Sequence, residues 1–298
     1  MGGVVLHPVD SLSDEELRAL MMRVNTDGFP VALVDVWRVE HLRFRETLRR
    51  IPHADHDHTA LLDLGSTRAW LAFYRVLLGY EEIVLNTCYP TSGFVDESLS
   101  IAEADTSRVR MSVFDVERQE FPFADESFDV VLCLEVLEHL AVDPMAMMAE
   151  VNRILRPGGT FVLTTPNVVR CSNVVNIILG EQPYGWNPYN GFDGNRHNRE
   201  YAPSEIERLF RASGLTPTEV TTFGRKSRGR MRDILAGMCR VALLPVPACP
   251  PRWRNDVIIA TGTKSSSRIE RRPEWLYFDM AERANAQRVL TPELACMR

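Results

Sequence analysis

Residues 128–166 read FDVVLCLEVLEHLAVDPMAMMAEVNRILRPGGTFVLTTP. The apolar run at 128–134 has the length and continuity of a strand buried on both faces, and 159–165 repeats it after a helical stretch from Leu137 to Leu155. Basic residues near the end of that stretch, then Pro157, Gly158 and Gly159, supply the last turn and the chain reversal that close such a helix. A strand, a helix and a second strand in this order form one unit of a parallel sheet.

Working outward, the same alternation continues. Strands read at 60–64, 82–86 and 110–114, with Trp70–Gly79 and Ser98–Ala104 as the intervening helices. Past residue 205 come a helix in PSEIERLFRASGL (203–215), a strand at about 217–223, another helix, and the strand DVIIATGTK (256–264). The fold class is therefore α/β, a doubly wound and mostly parallel seven-stranded sheet of the Rossmann-like kind, whose ligands sit beyond the carboxyl ends of the strands. Before it, Ser13 and Glu16 fit a capping box ahead of Leu17, Leu20, Met21 and Val24, and a second helix is expected from about 34 to 50. The domain reading is a helical extension at 1–57, the main domain at 58–265 with an insert at 171–200, and a tail at 266–298. The aromatic residues of the tail, in EWLYFDM (274–280), are expected to dock onto the body or a partner chain.

Composition narrows the chemistry. The chain has 298 residues, a net charge of -6 and a pI near 5.7, which argues against a general nucleic-acid binder and for a small-molecule partner. Six scattered cysteines without a C-x-x-C pair read as reduced, packed thiols. The N-terminus lacks the pattern of a secretory signal, so cytoplasm is the expectation. ILAGMCRVALLPVPACPP (234–251) contains Arg240 and prolines that a spanning helix does not tolerate, and reads as a buried helix followed by a stiff loop; no stable membrane insertion is expected. HADHDH (53–58) reads as a polar linker, with metal binding as its alternative.

Four pieces fall on successive strand ends: LLDLGS (61–66), FDVERQEFPFADESFDVVLCLEVLEHL (114–140), LRPGGTFVLTTPN (155–167) and RHNREYAPSEIERLFRASGL (196–215). Together, over roughly 58–265, they resemble the class I S-adenosylmethionine-dependent methyltransferases of the type 11 group, in particular members that O-methylate glycans and natural products. The resemblance implies S-adenosyl-L-methionine as cofactor. In such a loop Gly65 and Ser66 bring backbone close to the ligand, and Asp63 accepts from an ammonium group or anchors the turn. The later glycines of the family are replaced by Thr67 and Ala69, with Arg68 between them in reach of a carboxylate. Where the family carries an acidic residue for the ribose hydroxyls stands Asn86, a loss worth on the order of 1 kcal/mol. Asp115 and Val116 match the adenine contacts, Asp115 having a turn-capping role as its alternative.

Methyl transfer to a hydroxyl gains from a base near neutrality, which makes His139 the first candidate and His197 its rival. Glu135 and Glu138 can orient the imidazole, touch the cofactor or help hold a divalent ion; a divalent metal is left open and none is assigned. GEQPYGWNPYNGFDGN (180–195) is too rich in Gly, Pro and Asn for regular structure, and its Tyr184, Trp186 and Tyr189, with Arg196 and Tyr201 beyond it, suit a polyhydroxylated acceptor. GRKSRGRMR (224–232) suits phosphate contacts or a solvated loop. The expected function is O-methylation of a hydroxyl on a saccharide or glycosylated metabolite. A small aromatic hydroxyl or an amine is the alternative acceptor, and a non-catalytic scaffold the alternative class. A small molecule or oligosaccharide is the expected partner, with a homodimer left open.

Overall fold

The computed structural model describes residues 8–22, 40–55, 60–66, 70–87, 93–97, 109–183, 196–224, 230–242 and 250–277. Eight strands form one sheet: β1 (Ala60–Leu64), β2 (Glu82–Thr87), β3 (Gly93–Glu97), β4 (Val109–Val113), β5 (Phe128–Leu134), β6 (Leu155–Pro166), β7 (Leu215–Phe223) and β8 (Val257–Lys264). Their spatial order is β3-β4-β2-β1-β5-β6-β8-β7. The pairs β4–β2–β1–β5–β6 are parallel, and β8 runs antiparallel between β6 and β7. The seven expected strands are thus present, and the antiparallel edge strand β3 adds to them. Strand order reverses between β1 and β5, which makes the crevice at their carboxyl ends the switch point of the sheet.

Both faces are covered, which is why β1 and β5 are apolar without alternation. Leu61, Leu85, Val130, Leu132 and Val162 face one core with Phe44, Leu48, Trp70, Phe73 and Tyr74. Leu62, Leu64, Val131, Cys133, Phe161 and Leu163 face the other, with Met147, Met148, Val151, Leu209 and Phe210. The first face is closed by helix α1 (Asp14–Met21), which carries the expected Ser13–Glu16 capping box, and by α2 at 40–48. Arg45 ties the two together, donating to Asp14 at 2.9 Å and to the carbonyls of Val9 and Leu12. On the second face lie α3 (Pro144–Ile154) and α5 (Pro203–Ala212). The tail docks there as well: Trp275, Leu276 and Tyr277 pack on this core, and the Tyr277 hydroxyl donates to Asp143, the N-cap of α3.

Several local readings change. The stretch 137–155 splits into a 3-10 turn at Leu137–His139 and α3, because Pro144 starts a new helix with Asp143 as its cap. The helix expected at 70–79 is dominated by a π-helical turn, Phe73–Leu77, and it buries both Phe73 and Tyr74. Inside the expected insert, α4 (Cys171–Ile178) is regular. The segment read as a buried helix is α6 (Arg230–Ala242), which packs only on α4, so Ile234, Met238 and Val241 remain open to solvent. No described helix is long and apolar enough to cross a membrane. Cys133, Cys171 and Cys239 are free thiols, and His53 is bonded to the carbonyl of Ala54, while 56–58 lie outside the described residues.

Gly214 turns the chain out of α5 at φ +71°, and a Cβ there would lie 2.4 Å from the carbonyl oxygen of Ser266 and 2.8 Å from that of Arg268. Gly214→Ala should therefore destabilise by about 2 kcal/mol or more and lower the thermal midpoint by roughly 5 °C. Gly180, at φ +74° with open space around it, is the control. Its replacement by Ala should cost about 1 kcal/mol. Calorimetry of the two variants checks the difference.

Candidate active site

At the end of β1 the turn is held by its neighbours. Gly65 sits at φ +62°, and a Cβ on it would approach Val136 Cγ2 to 2.6 Å, so the loops after β1 and β5 press together and only glycine fits. Its N–H donates to Asn86 Oδ1 at 3.1 Å. The Asn86 amide nitrogen donates to the carbonyls of Phe114 (3.1 Å) and Ser112 (3.3 Å). Asn86 is thus a buried tie between the ends of β1, β2 and β4, and its side chain is spent on backbone rather than turned to a ribose. A carboxylate could not replace it, having no hydrogen to donate to two carbonyls.

Asp63 is buried. Its Oδ2 accepts from Ser66 Oγ at 2.6 Å and from the Tyr74 hydroxyl at 2.8 Å, while Oδ1 has no hydrogen-bond partner among the described residues. Burial pushes this carboxyl up to about 7, against the hydrogen bonds from Ser66 and Tyr74 and the charge of Arg43. Trp70 turns away from the strand ends into the core, 4.3 Å from Phe44 and stacked on Tyr74. Arg68 lies outside the described residues. After β4, Asp115 Oδ1 accepts from the backbone of Glu117 (2.9 Å) and Arg118 (3.2 Å), the turn-capping geometry, and Val116 joins the core.

The end of β5 is chemically the densest part of the molecule. Glu135 has φ +60°, a conformation rarely taken by a residue with a Cβ. Glu138 is 1% exposed, and its Oε2 accepts from Thr165 Oγ1 at 3.0 Å. Its Oε1 has no hydrogen-bond partner among the described residues and lies 3.9 Å from His139 Nε2 and 4.0 Å from His197 Nε2. The two rings stand edge to face at 5.0 Å. His139 Nδ1 donates to the carbonyl of Arg196 at 3.1 Å, and His197 Nδ1 to Glu200 Oε1 at 3.2 Å. When both imidazoles are neutral, these bonds place the lone pairs on the two Nε2 atoms, beside Glu138 Oε1.

Three electron-pair donors within 4.8 Å of one another need something positive between them, a proton or a cation. Burial, and next the charge of Glu135, drive the Glu138 carboxyl well above its ordinary range. Burial, and next His197, hold His139 below the usual imidazole value. The sequence reading assigned no metal; the carboxylate and two imidazoles form a donor set that suits a divalent transition ion.

The segment carrying His197 is zipped to the turn carrying His139. Asn198 and Arg199 donate their N–H groups to the Glu138 carbonyl at 2.7 and 3.2 Å, and Asn198 Nδ2 donates to that of His139 at 2.7 Å. Behind His197, the Glu200 carboxylate is buried, which alone would raise it, yet His197 and the Arg170 guanidinium at 2.6 Å hold it below its ordinary value. Glu200, Arg170 and Thr165 are absent from the sequence reading. So is Arg43 on α2, whose charge reaches both Asp63 and Glu138. Nothing local in the sequence separates it from the other basic residues of that helix. Tyr201 is a core residue, 2% exposed, with the Arg199 guanidinium over its ring. Tyr184, Trp186 and Tyr189 lie outside the described residues.

The residues present fit S-adenosylmethionine. A buried carboxylate oxygen without a partner beside a glycine turn suits the ammonium of its methionine part. Residues 62–163 match a family model described as a methyltransferase domain. The ubiquinone biosynthesis O-methyltransferase of Rickettsia bellii (strain OSU 85-389) is 25% identical over 185 residues, 61% of this chain and 73% of that protein. Its namesake from Cereibacter sphaeroides (strain ATCC 17025 / ATH 2.4.3) is 32% identical over 116 residues, 39% of this chain and 45% of that one. Among solved structures, a chain of the complex between the Haloferax volcanii Trm112 methyltransferase activator and a methyltransferase superposes with a TM-score of 0.52. At 19% identity, covering 84% of this chain and 98% of that one, it bears on the fold alone. Sheet order, the β1 turn and these matches converge: the chain is a class I S-adenosylmethionine-dependent methyltransferase.

Proposed function

We propose that this methyltransferase acts on oxygen, at a hydroxyl of an aromatic ring, and that the Glu138–His139–His197 cluster takes up the hydroxyl proton. The convergence of two Nε2 atoms and one carboxylate oxygen at the end of β5 carries this reading. When bound, S-adenosylmethionine supplies a methyl group on a sulfonium. Asp63 then pairs with the ammonium, Arg43 brings positive charge towards the carboxylate, and the Gly65 turn lets backbone approach. His139, held below the usual imidazole value, is neutral at pH 7 and ready to accept a proton. So weak a base suits an aromatic hydroxyl, with a pKa of about 10, better than an aliphatic alcohol. The relatives' name, which specifies O-methyl transfer, supports an oxygen acceptor. The saccharide acceptor expected from sequence loses its support: the aromatic insert lies outside the described residues, Tyr201 is core, and the relatives are named for ubiquinone biosynthesis.

A second reading of the cluster follows from its spacing. Distances of 3.9 and 4.0 Å are too long for hydrogen bonds, so Glu138, His139 and His197 can instead hold a divalent cation that acidifies the hydroxyl.

His139→Ala and His197→Ala should each lower kcat on a catechol-type acceptor by about 10²–10⁴-fold with S-adenosylhomocysteine affinity unchanged. Turnover that stays near wild type in both would point to an amine acceptor. In a pH profile, activity should hold from neutral to mildly alkaline pH and fall only below the ordinary imidazole pKa of about 6.5, because the neutral base is the active form. Dialysis against a chelator separates proton from cation: activity lost and restored by added metal assigns the ion, and unchanged activity assigns the proton.

Asp63 titrates near 7, and only its ionised form pairs with an ammonium. A carboxyl raised in the folded state costs stability once pH exceeds its unfolded value, and the full cost is present above about 7. S-adenosylhomocysteine should therefore bind more tightly, and raise the thermal midpoint further, at pH 8 than at pH 6. Equal thermal shifts at the two pH values would exclude Asp63 from that contact.

A further inference from the structure

We propose that α4 and α6 form a docking face for an anionic lipid bilayer, an inference that does not rest on the choice of acceptor. The two helices pack on each other through Cys171, Val175 and Ala236, a small core of their own outside the two that flank the sheet. Their outer sides are apolar. Ile177, Ile178 and Leu179, at the end of α4, are 62, 76 and 51% exposed. Ile234, Met238 and Val241 are 57, 63 and 65% exposed and follow each other at the spacing of one helical face. Elsewhere among the described residues, large exposed apolar side chains such as Met22, Val76 and Val142 stand singly. A concentration of six on one helix pair marks an interaction surface.

Charge selects the occupant. Residues 224–242, which lead into and form α6, contain five arginines and one lysine against the single acid Asp233, in a chain whose net charge is -6. Apolar side chains on a helix whose sequence is strongly basic match a surface that is itself anionic outside and apolar beneath. In a symmetric pairing of two copies the same basic segment would meet itself, which opposes a dimer through this face. The helices have 8 and 13 residues, too short to span, so they would lie in the plane of the interface. The face also adjoins the acceptor cluster. Helix α4 starts directly after Arg170, whose guanidinium holds Glu200, the partner of His197. A bilayer on this face is one salt bridge and one hydrogen bond away from the catalytic imidazoles.

Co-sedimentation of the full chain with lipid vesicles tests this. Partitioning should be at least ~10-fold stronger on vesicles of equal parts phosphatidylglycerol and phosphatidylcholine than on phosphatidylcholine alone, and should weaken with added salt. The double variant Ile178→Glu/Met238→Glu, both positions being solvent-exposed, should lose ~10-fold or more of that partitioning while its thermal midpoint and S-adenosylhomocysteine binding match the wild type. Absence of binding to either vesicle, equal binding to both, partitioning untouched by the double variant, or a wild-type dimer that the double variant makes monomeric would each overturn the proposal.

Discussion

The amide of Asn86 holds together the edge on which this protein works. It receives the N–H of Gly65 after β1 and gives its own hydrogens to carbonyls at the end of β4, from a position at the end of β2. Three parallel strands are thereby stopped in register at one buried point, and the Gly65 turn is pressed against Val136 of the loop after β5. Because that contact is closer than any Cβ allows, the two loops that flank the switch point cannot drift apart independently. The residues that recognise and react are carried by those loops. Loss of the Asn86 amide would leave buried donors and acceptors without partners, at about 1–3 kcal/mol each.

On this frame the protein keeps polar groups that are poorly satisfied. Asp63 and Glu138 each have one buried carboxylate oxygen without a hydrogen-bond partner among the described residues, and both carboxyls are pushed upward by burial. Such groups work against folding stability and are useful only where a ligand completes them. Their surroundings are by contrast fully engaged. Thr165, Glu200 and Arg170 fix the imidazoles and the carboxylate, and the Glu117 carboxylate accepts from the backbone of Ala141, Val142 and Asp143 to fasten the loop between the 3-10 turn and α3. A stiff surround around unsatisfied donors is the arrangement that pre-organises a site.

The ends of the chain contribute more than cover. Helix α2 brings Arg43 within electrostatic reach of Asp63 and Glu138, and its Phe44 and Leu48 complete the core that supports Trp70 and Tyr74. Tyr74 in turn donates to Asp63, so the N-terminal helices bear on the cofactor carboxylate both by charge and by packing. At the other end Tyr277 shares the N-cap of α3 with Asp143, which ties the tail to the helix that follows the reactive turn.

The apolar runs at 60–64, 128–134 and 159–165, the punctuation at Pro157–Gly159 and the Ser13–Glu16 box are local signals, and they determined the strands, the sheet class, the first helix and the carboxyl-edge location of the site. His139, His197 and Glu138 were legible as residue types suited to proton transfer, although 58 positions separate Glu138 from His139's partner carbonyl at Arg196 in the chain of contacts. Only the tertiary structure decided what each of them does. Asn86 reads as a weakened ribose contact until its amide is seen bonded to three backbones, and Arg43 reads as one more helix charge until α2 packs over the sheet. The same holds for α6, whose composition suits burial but whose sole neighbour is α4. Periodicity and turn chemistry act within a few residues and can be read along the chain, whereas burial, charge proximity and hydrogen-bond partners depend on segments that meet only when the sheet has closed.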